Sequence, residues 1–342
     1  MSAGLGALLG LGCADDGGDG FDTDIGNASA CGAAEAVPEN TATATTVIGS
    51  GTAASCTSEK LVAAVKKGGV IKFNCGASPV TITLKQTAKV FNNAARKVVI
   101  DGGNKITLSG EGKRRILYMN TCDAAQVWTT AKCDNQEFPQ LTVQNLTFVD
   151  GSAKNEASKS GGAIYAQGGR LKVINSKFYR NSCADTGPDV GGGAIRALQQ
   201  WQNQPVYIVN SVFGADGRGN VCSNGGALST IGASYSVFNS SLVGNRAIGR
   251  GANPAQPGTP GGGSGGAIYN DGNRFTLDLC GVTMTGNRAN EGGGGVFFVS
   301  NDRSGTLRIR ESRLGNNESG KFENLPGIFV LGNRQISNSE IK

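Results

Sequence analysis

The chain has 342 residues, of which 54 are Gly and only 17 % are Lys, Arg, Asp or Glu, with a formal charge of +6. It contains no His, which excludes Ser-His and Cys-His nucleophilic systems, His-ligated zinc and any imidazole base. No Gly-Lys-Ser/Thr phosphate loop occurs, and the Gly-x-Gly strings fall where turns are expected, so a nucleotide site is not indicated.

Residues 1–13 form an apolar, small-residue run too short to span a bilayer as a helix, and read as the tail of a signal peptide. Leu9-Gly10-Leu11-Gly12-Cys13 resembles a bacterial lipobox, which implies acylation of Cys13 and attachment of an exported protein at the outer membrane or cell surface. The alternative is an ordinary cleaved signal and a secreted protein. Residues 14–55, acidic and then Ala/Thr-rich, are expected to be a flexible tether in front of one elongated domain over 56–342. All 32 Lys and Arg lie at or after Lys60, while seven of the 26 acidic residues precede position 56, which leaves the body at +13. Such a body favours polyanionic partners, though charge on a Gly-rich surface also serves solubility alone.

From residue 56 the spacing predicts one helix over Ser58 to Lys67 and then short strands of four to six residues rich in Val, Ile, Phe and Thr. A Gly-Gly pair leading an apolar run recurs at Gly161, Gly192, Gly225, Gly265 and Gly293. Each copy is followed by a strand whose apolar end has a polar residue three positions on: Asn181, Asp216, Asn245, Asn287 and Asn317. Spacings near thirty residues are those of a unit that buries its apolar face only by stacking on a copy of itself. A second column, Asn145, Asn175, Asn210, Asn239, Gly281, Glu311 and Asn338, precedes the inward apolar positions by three and predicts a left-handed turn in every coil, with Glu311 breaking the pattern. Stacked Asn amides can hydrogen-bond along such a column, and Phe178, Phe213, Leu242 and Met284 are expected inside.

Nine cysteines without a Cys-x-x-Cys pair, in an exported chain, point to disulfides rather than metal, and no metal or cofactor is expected. Setting Cys13 aside leaves eight. Cys56 and Cys75 flank the helix, Cys122 and Cys133 bracket a local excursion, and Cys183 and Cys222 follow the apolar ends of successive coils. Cys31 and Cys280 have no obvious mates.

The sequence from about Cys56 resembles the right-handed parallel β-helix proteins of the pectin lyase-like superfamily. Its Gly-Gly-Ala-Ile and Phe-x-x-Asn repeats are similar to those of bacterial polymorphic outer-membrane proteins. The resemblance implies an all-β, single-stranded right-handed parallel β-helix with a short N-terminal capping helix. It leaves activity open, because that superfamily holds lyases, hydrolases, esterases and adhesins on one scaffold. Without His the polygalacturonate hydrolase pattern is absent. A lyase with an Arg base and carboxylate-held Ca²⁺ would have Arg180 and Arg196 beside Asp185 and Asp189 as candidates, if these are not merely a solvated loop. The loops over residues 182–190, 214–224 and 246–264 vary in length and are where binding residues accumulate, so Asp185, Asp189, Arg246 and Arg250 are the candidate contacts for an anionic ligand. The reading is a monomeric, non-catalytic surface lipoprotein that binds an acidic polysaccharide or another cell-surface component, with no nucleic acid expected. A polysaccharide lyase or hydrolase is the alternative.

Overall fold

The computed structural model describes residues 31–342, so Cys13 and the expected signal segment lie outside the described residues. The chain winds as a parallel β-solenoid. An eight-stranded sheet runs in chain order from Ala88–Val90 to Ile328–Leu331, a 17-stranded sheet takes in most turns two strands per coil, and a four-stranded sheet of two-residue strands starts at Val221–Cys222. Neighbouring coils pair in parallel in all three.

The glycine pairs make this stacking possible. The first Gly of each pair has φ between 53° and 77°, and a Cβ there would lie 2.2–2.5 Å from a backbone oxygen of the strand that follows. A Cβ on Gly226 would meet the carbonyl of Gly266 on the next coil at 2.5 Å. The Asn column is the bend between the two strands that each coil gives the 17-stranded sheet. All seven of its residues have positive φ, from 46° to 66°, Glu311 included at 49°. Glu311 therefore keeps the turn that its identity argued against, and its carboxylate accepts from Asn338 Nδ2 at 2.7 Å, as an Asn oxygen would.

Inside the tube, Phe148, Phe178 and Phe213 stack with ring centroids 4.7 Å apart and planes within 3°, and Leu242, Met284 and Leu314 continue the column in register. All but Leu314, which is 1 % exposed, are wholly buried. The continuous amide ladder belongs to the other Asn set, Asn181, Asn220, Asn245, Asn287 and Asn317. Each of the first four donates both its backbone N–H and its Nδ2 to the Oδ1 of the next, at 2.8–3.2 Å. In the expected register Asp216 would hold the second place, but residues 214–219 loop out and Asn220 takes it. In the bend column, amide stacking is seen from Asn175 to Asn145.

Helix Ser58–Lys67 starts at the Thr57 cap and packs Leu61, Ala64 and Val65 on the first coils. Short 3₁₀ turns at Ala53–Ser55, Ala124–Gln126, Cys133–Asn135 and Trp201–Asn203 add helical backbone that the strand pattern did not predict. The pairs Cys56–Cys75, Cys122–Cys133 and Cys183–Cys222 form disulfides.

The tether expected over 14–55 gives way from residue 31 on. Strand Thr46–Ile48 pairs with Gly69–Phe73, and residues 31–39 lie as a strap on the outer face of the 17-stranded sheet, tied by a Cys31–Cys280 disulfide across 249 residues. Ala36 and Cys31 pack there against Ile174, Tyr207, Val209, Phe238 and Cys280. An acidic composition did not keep this segment in solvent, because the face it meets is cationic: Lys172 Nζ reaches Glu39 at 2.6 Å, Lys97 Nζ reaches Glu39 at 3.2 Å and Arg170 reaches Glu35 at 3.1 Å.

The strap should be acid-sensitive. Burial raises the Glu39 carboxyl, but hydrogen bonds and charge from Lys172 and Lys97 outweigh it and hold the group below its ordinary 4.5. A folded value below the unfolded one gives stabilisation that is complete above the unfolded value and is lost as pH falls through the folded one. Deuterium uptake over 33–39, corrected for intrinsic rates, should therefore rise below about pH 4 while the sheet strands stay protected. Unchanged strap protection at about pH 3 would contradict the assignment.

Candidate functional site

The strands of the eight-stranded sheet end at Gln167, Ala197, Ile231, Gly272 and Ser300, and the turns that follow differ in length from coil to coil. Between them lies a groove of about 670 Å³. Amides line it from Gln167, Gln199, Asn203, Asn273 and Asn301, with Leu198 and Ile231 as apolar floor and Arg196 and Arg274 as cations. Arg274 is exposed and makes no ion pair among the described residues.

Arg196 is held differently. On the outward column of the eight-stranded sheet it sits in register between Tyr165 and Ser229, with Tyr269 one coil further. Its side chain is buried, donates to Ser229 Oγ at 2.5 Å, and has no carboxylate within ion-pair distance among the described residues. Burial pulls its guanidinium below the ordinary value. An Arg remains charged at neutral pH, so this is a buried positive charge without an ionic partner.

Beside it the three loops expected from sequence meet. Gly187 N–H donates to Gly261, residues Arg250 and Ala252 bridge to Gly261 and Gly262, and Ser223 Oγ holds the Gly187 carbonyl. Asn253, carried on this loop, aims Nδ2 at Tyr269 Oη, Asp271 and Asp189 at 2.9, 3.0 and 3.2 Å. Tyr269 donates to Asp271 at 3.1 Å, and Asn301 at the groove wall contacts the other oxygen of Asp271 at 3.3 Å. Burial, and then the Asp271 charge, drive the Tyr269 hydroxyl far above its usual value, so it stays a neutral donor.

Of the residues singled out from sequence, Asp189 and Arg196 fall at this network. Arg250 is exposed on the loop above it, and Arg246 is exposed on the four-stranded sheet, in register with Arg288. Arg180 does not join them. It is engaged by a two-pronged contact to Asp150 on the preceding coil at 2.8 and 2.9 Å. Asp185 is taken by Lys154 at 2.7 Å, on an exposed pair. The groove amides went unseen in the sequence. Their signal was the recurrence of Gln167, Gln199, Asn273 and Asn301 after four of the five Gly-Gly apolar strands, the copy at Gly225 lacking one.

Among the described residues no group of three His, Cys, Asp or Glu side chains could hold a metal ion, and no helix is long and apolar enough to cross a membrane. No family model matches the chain, and neither a curated protein nor a solved structure matches it.

Proposed function

We propose that this protein is an exported β-solenoid that binds an extended acidic glycan, without turning it over, along the groove at the end of the eight-stranded sheet. The observation that carries the reading is the groove itself: amides from four coils, two on either side of the Leu228–Ile231 coil, beside two arginines that make no ion pair among the described residues. Amides match sugar hydroxyls as donors and acceptors together, and guanidinium matches a uronate carboxylate in two-pronged geometry. In this reading the coil is right-handed, as parallel crossovers overwhelmingly are, and the scaffold is of the pectin lyase-like kind. Four disulfides support an oxidising compartment, Cys13 is the proposed lipid attachment point, and the surface acts as a monomeric adhesin toward cell-surface polysaccharide. The chain should be retained on immobilised polygalacturonate and released by salt, since exposed charge pairs are screened within about 10 Å at 0.1 M. An Arg274→Ala variant, which removes the exposed cation of the groove, should elute at lower salt. Retention that salt does not weaken, or no retention at all, would sink the reading.

A second reading, a glycan-cleaving enzyme, draws on the convergence of Asp189 and Asp271 on one Asn253 amide near buried Arg196. Incubation with uronate polymers separates the two. Unsaturated product or new reducing ends, abolished by Asp271→Asn, would replace binding by catalysis.

A further inference from the structure

The strap is a peptide seated in a groove. Its contacts are not only ionic: Gln144 accepts from the backbone N–H of Glu39 at 2.9 Å and donates to the Glu39 carbonyl at 3.2 Å, reading both sides of one residue's backbone. Lys172 Nζ donates to the carbonyls of Val37 and Glu35 at 3.0 and 3.3 Å besides its ion pair with Glu39. Asn239 Nδ2 holds the Cys31 carbonyl at 3.1 Å. Small side chains, Ala33 and Ala36, fit the apolar stripe of Ile174, Val209 and Phe238 on the outside of the sheet.

Two features show that this groove is built to bind and not merely overlaid. A space of about 360 Å³ remains between strap and sheet, walled by Lys97, Arg170, Lys172 and Tyr207 together with Glu35 and Glu39. In it Arg170 Nε is buried and has no hydrogen-bond partner among the described residues, so residues 31–39 leave part of the cationic face unsatisfied. An apolar stripe on the outer face of a solenoid sheet has no role in the interior packing either. Its burial depends on this one segment.

We propose that the outer face of the 17-stranded sheet from Lys97 to Cys280 is a recognition groove for an extended acidic peptide with small apolar residues, and that residues 31–39 fill it in cis under the lock of the Cys31–Cys280 disulfide. Opening that bond is a two-electron reduction, with a dithiol reductant oxidised to its own disulfide while Cys31 and Cys280 take up two protons as thiols. The strap then competes only by its effective concentration, and a partner segment of the same chemistry can displace it. The peptide backbone contacts of Gln144 and Lys172 favour a peptide over a polysaccharide, which has no N–H and C=O at that spacing. This groove is separate from the proposed glycan groove, and the two stand or fall independently.

The probe is a fluorescein-labelled peptide of residues 31–43 with Cys31→Ser, followed by anisotropy against four full-length proteins. The oxidised wild type should not bind it. The Cys31→Ser/Cys280→Ser variant should bind weakly, against its own strap. Adding Glu35→Lys and Glu39→Lys, which repel the strap from Lys172 and Arg170, should tighten binding at least about tenfold, and Lys172→Ala in that background should undo the gain. Absent binding by the wild type, the two-site and the four-site variants alike, all folded, overturns the proposal. So does binding of polygalacturonate, but not the peptide, by the opened groove. Should the four-site variant fail to fold, the comparison of wild type with the two-site variant still decides: no difference between them overturns the proposal.

Discussion

Truncating Phe213 to Ala should destabilise the protein by about 3–5 kcal/mol, the range for removing a buried ring that its surroundings cannot replace. Phe213 is wholly buried, stacked on Phe178 at 4.7 Å and registered with Leu242 on the other side. Relaxation is limited, because each neighbour is fixed in turn by the coil beyond it, and a solenoid has no second core to share the void. Equilibrium denaturant unfolding of the oxidised protein measures the loss. A value below about 1 kcal/mol, typical of a surface substitution, would mean that this column is not the core.

Asn245→Ala should be of similar size for a different reason. The side chain donates to the Phe213 carbonyl at 2.9 Å and to Asn287, and accepts from both the backbone and the side-chain nitrogen of Asn220 at 3.1 and 2.9 Å. Asn245 is wholly buried, so removal leaves the Asn220 backbone N–H and one Asn220 Nδ2 hydrogen without an acceptor in a place water does not reach. Each orphaned group costs about 1–3 kcal/mol, so a loss of about 2–6 kcal/mol is expected, and Asn245→Asp should not rescue it. The exposed Asn301→Ala, by contrast, should change stability by less than about 0.5 kcal/mol. Equal effects from the two would show that the ladder contributes no more than surface amides.

Much of this architecture could be read from residue order because the constraint repeats. A backbone that must turn left-handed once per coil admits Asn or Gly cheaply, so Asn145 to Asn338 marks the bend seven times, and one Glu among them does not hide it. Gly161, Gly192, Gly225, Gly265 and Gly293 are legible for the same reason, since a Cβ at each would strike backbone. Non-repeating features were not legible. Cys31 meets Cys280 only because the strap crosses six successive strands of a sheet face, from Lys97 to Cys280, and nothing local in either sequence neighbourhood records that contact. The four-residue insertion after Phe213 displaced the ladder position from Asp216 to Asn220, which a fixed offset of three residues cannot detect. Arg180 looked available because its charge sits in a loop. Whether Asp150 on the preceding coil would claim it depends on register, which the loop itself does not carry.

The groove at the end of the eight-stranded sheet is where the functional proposal can be tested most directly. Calorimetric titration of oxidised wild-type protein with an oligogalacturonate long enough to span several coils should give saturable binding that weakens steeply as salt is raised. The Asn273→Ala/Arg274→Ala/Asn301→Ala variant, altered only at exposed groove positions, should bind at least about tenfold more weakly at unchanged thermal stability. Binding by that variant with wild-type affinity and salt dependence, or no binding by the wild type, would contradict the account.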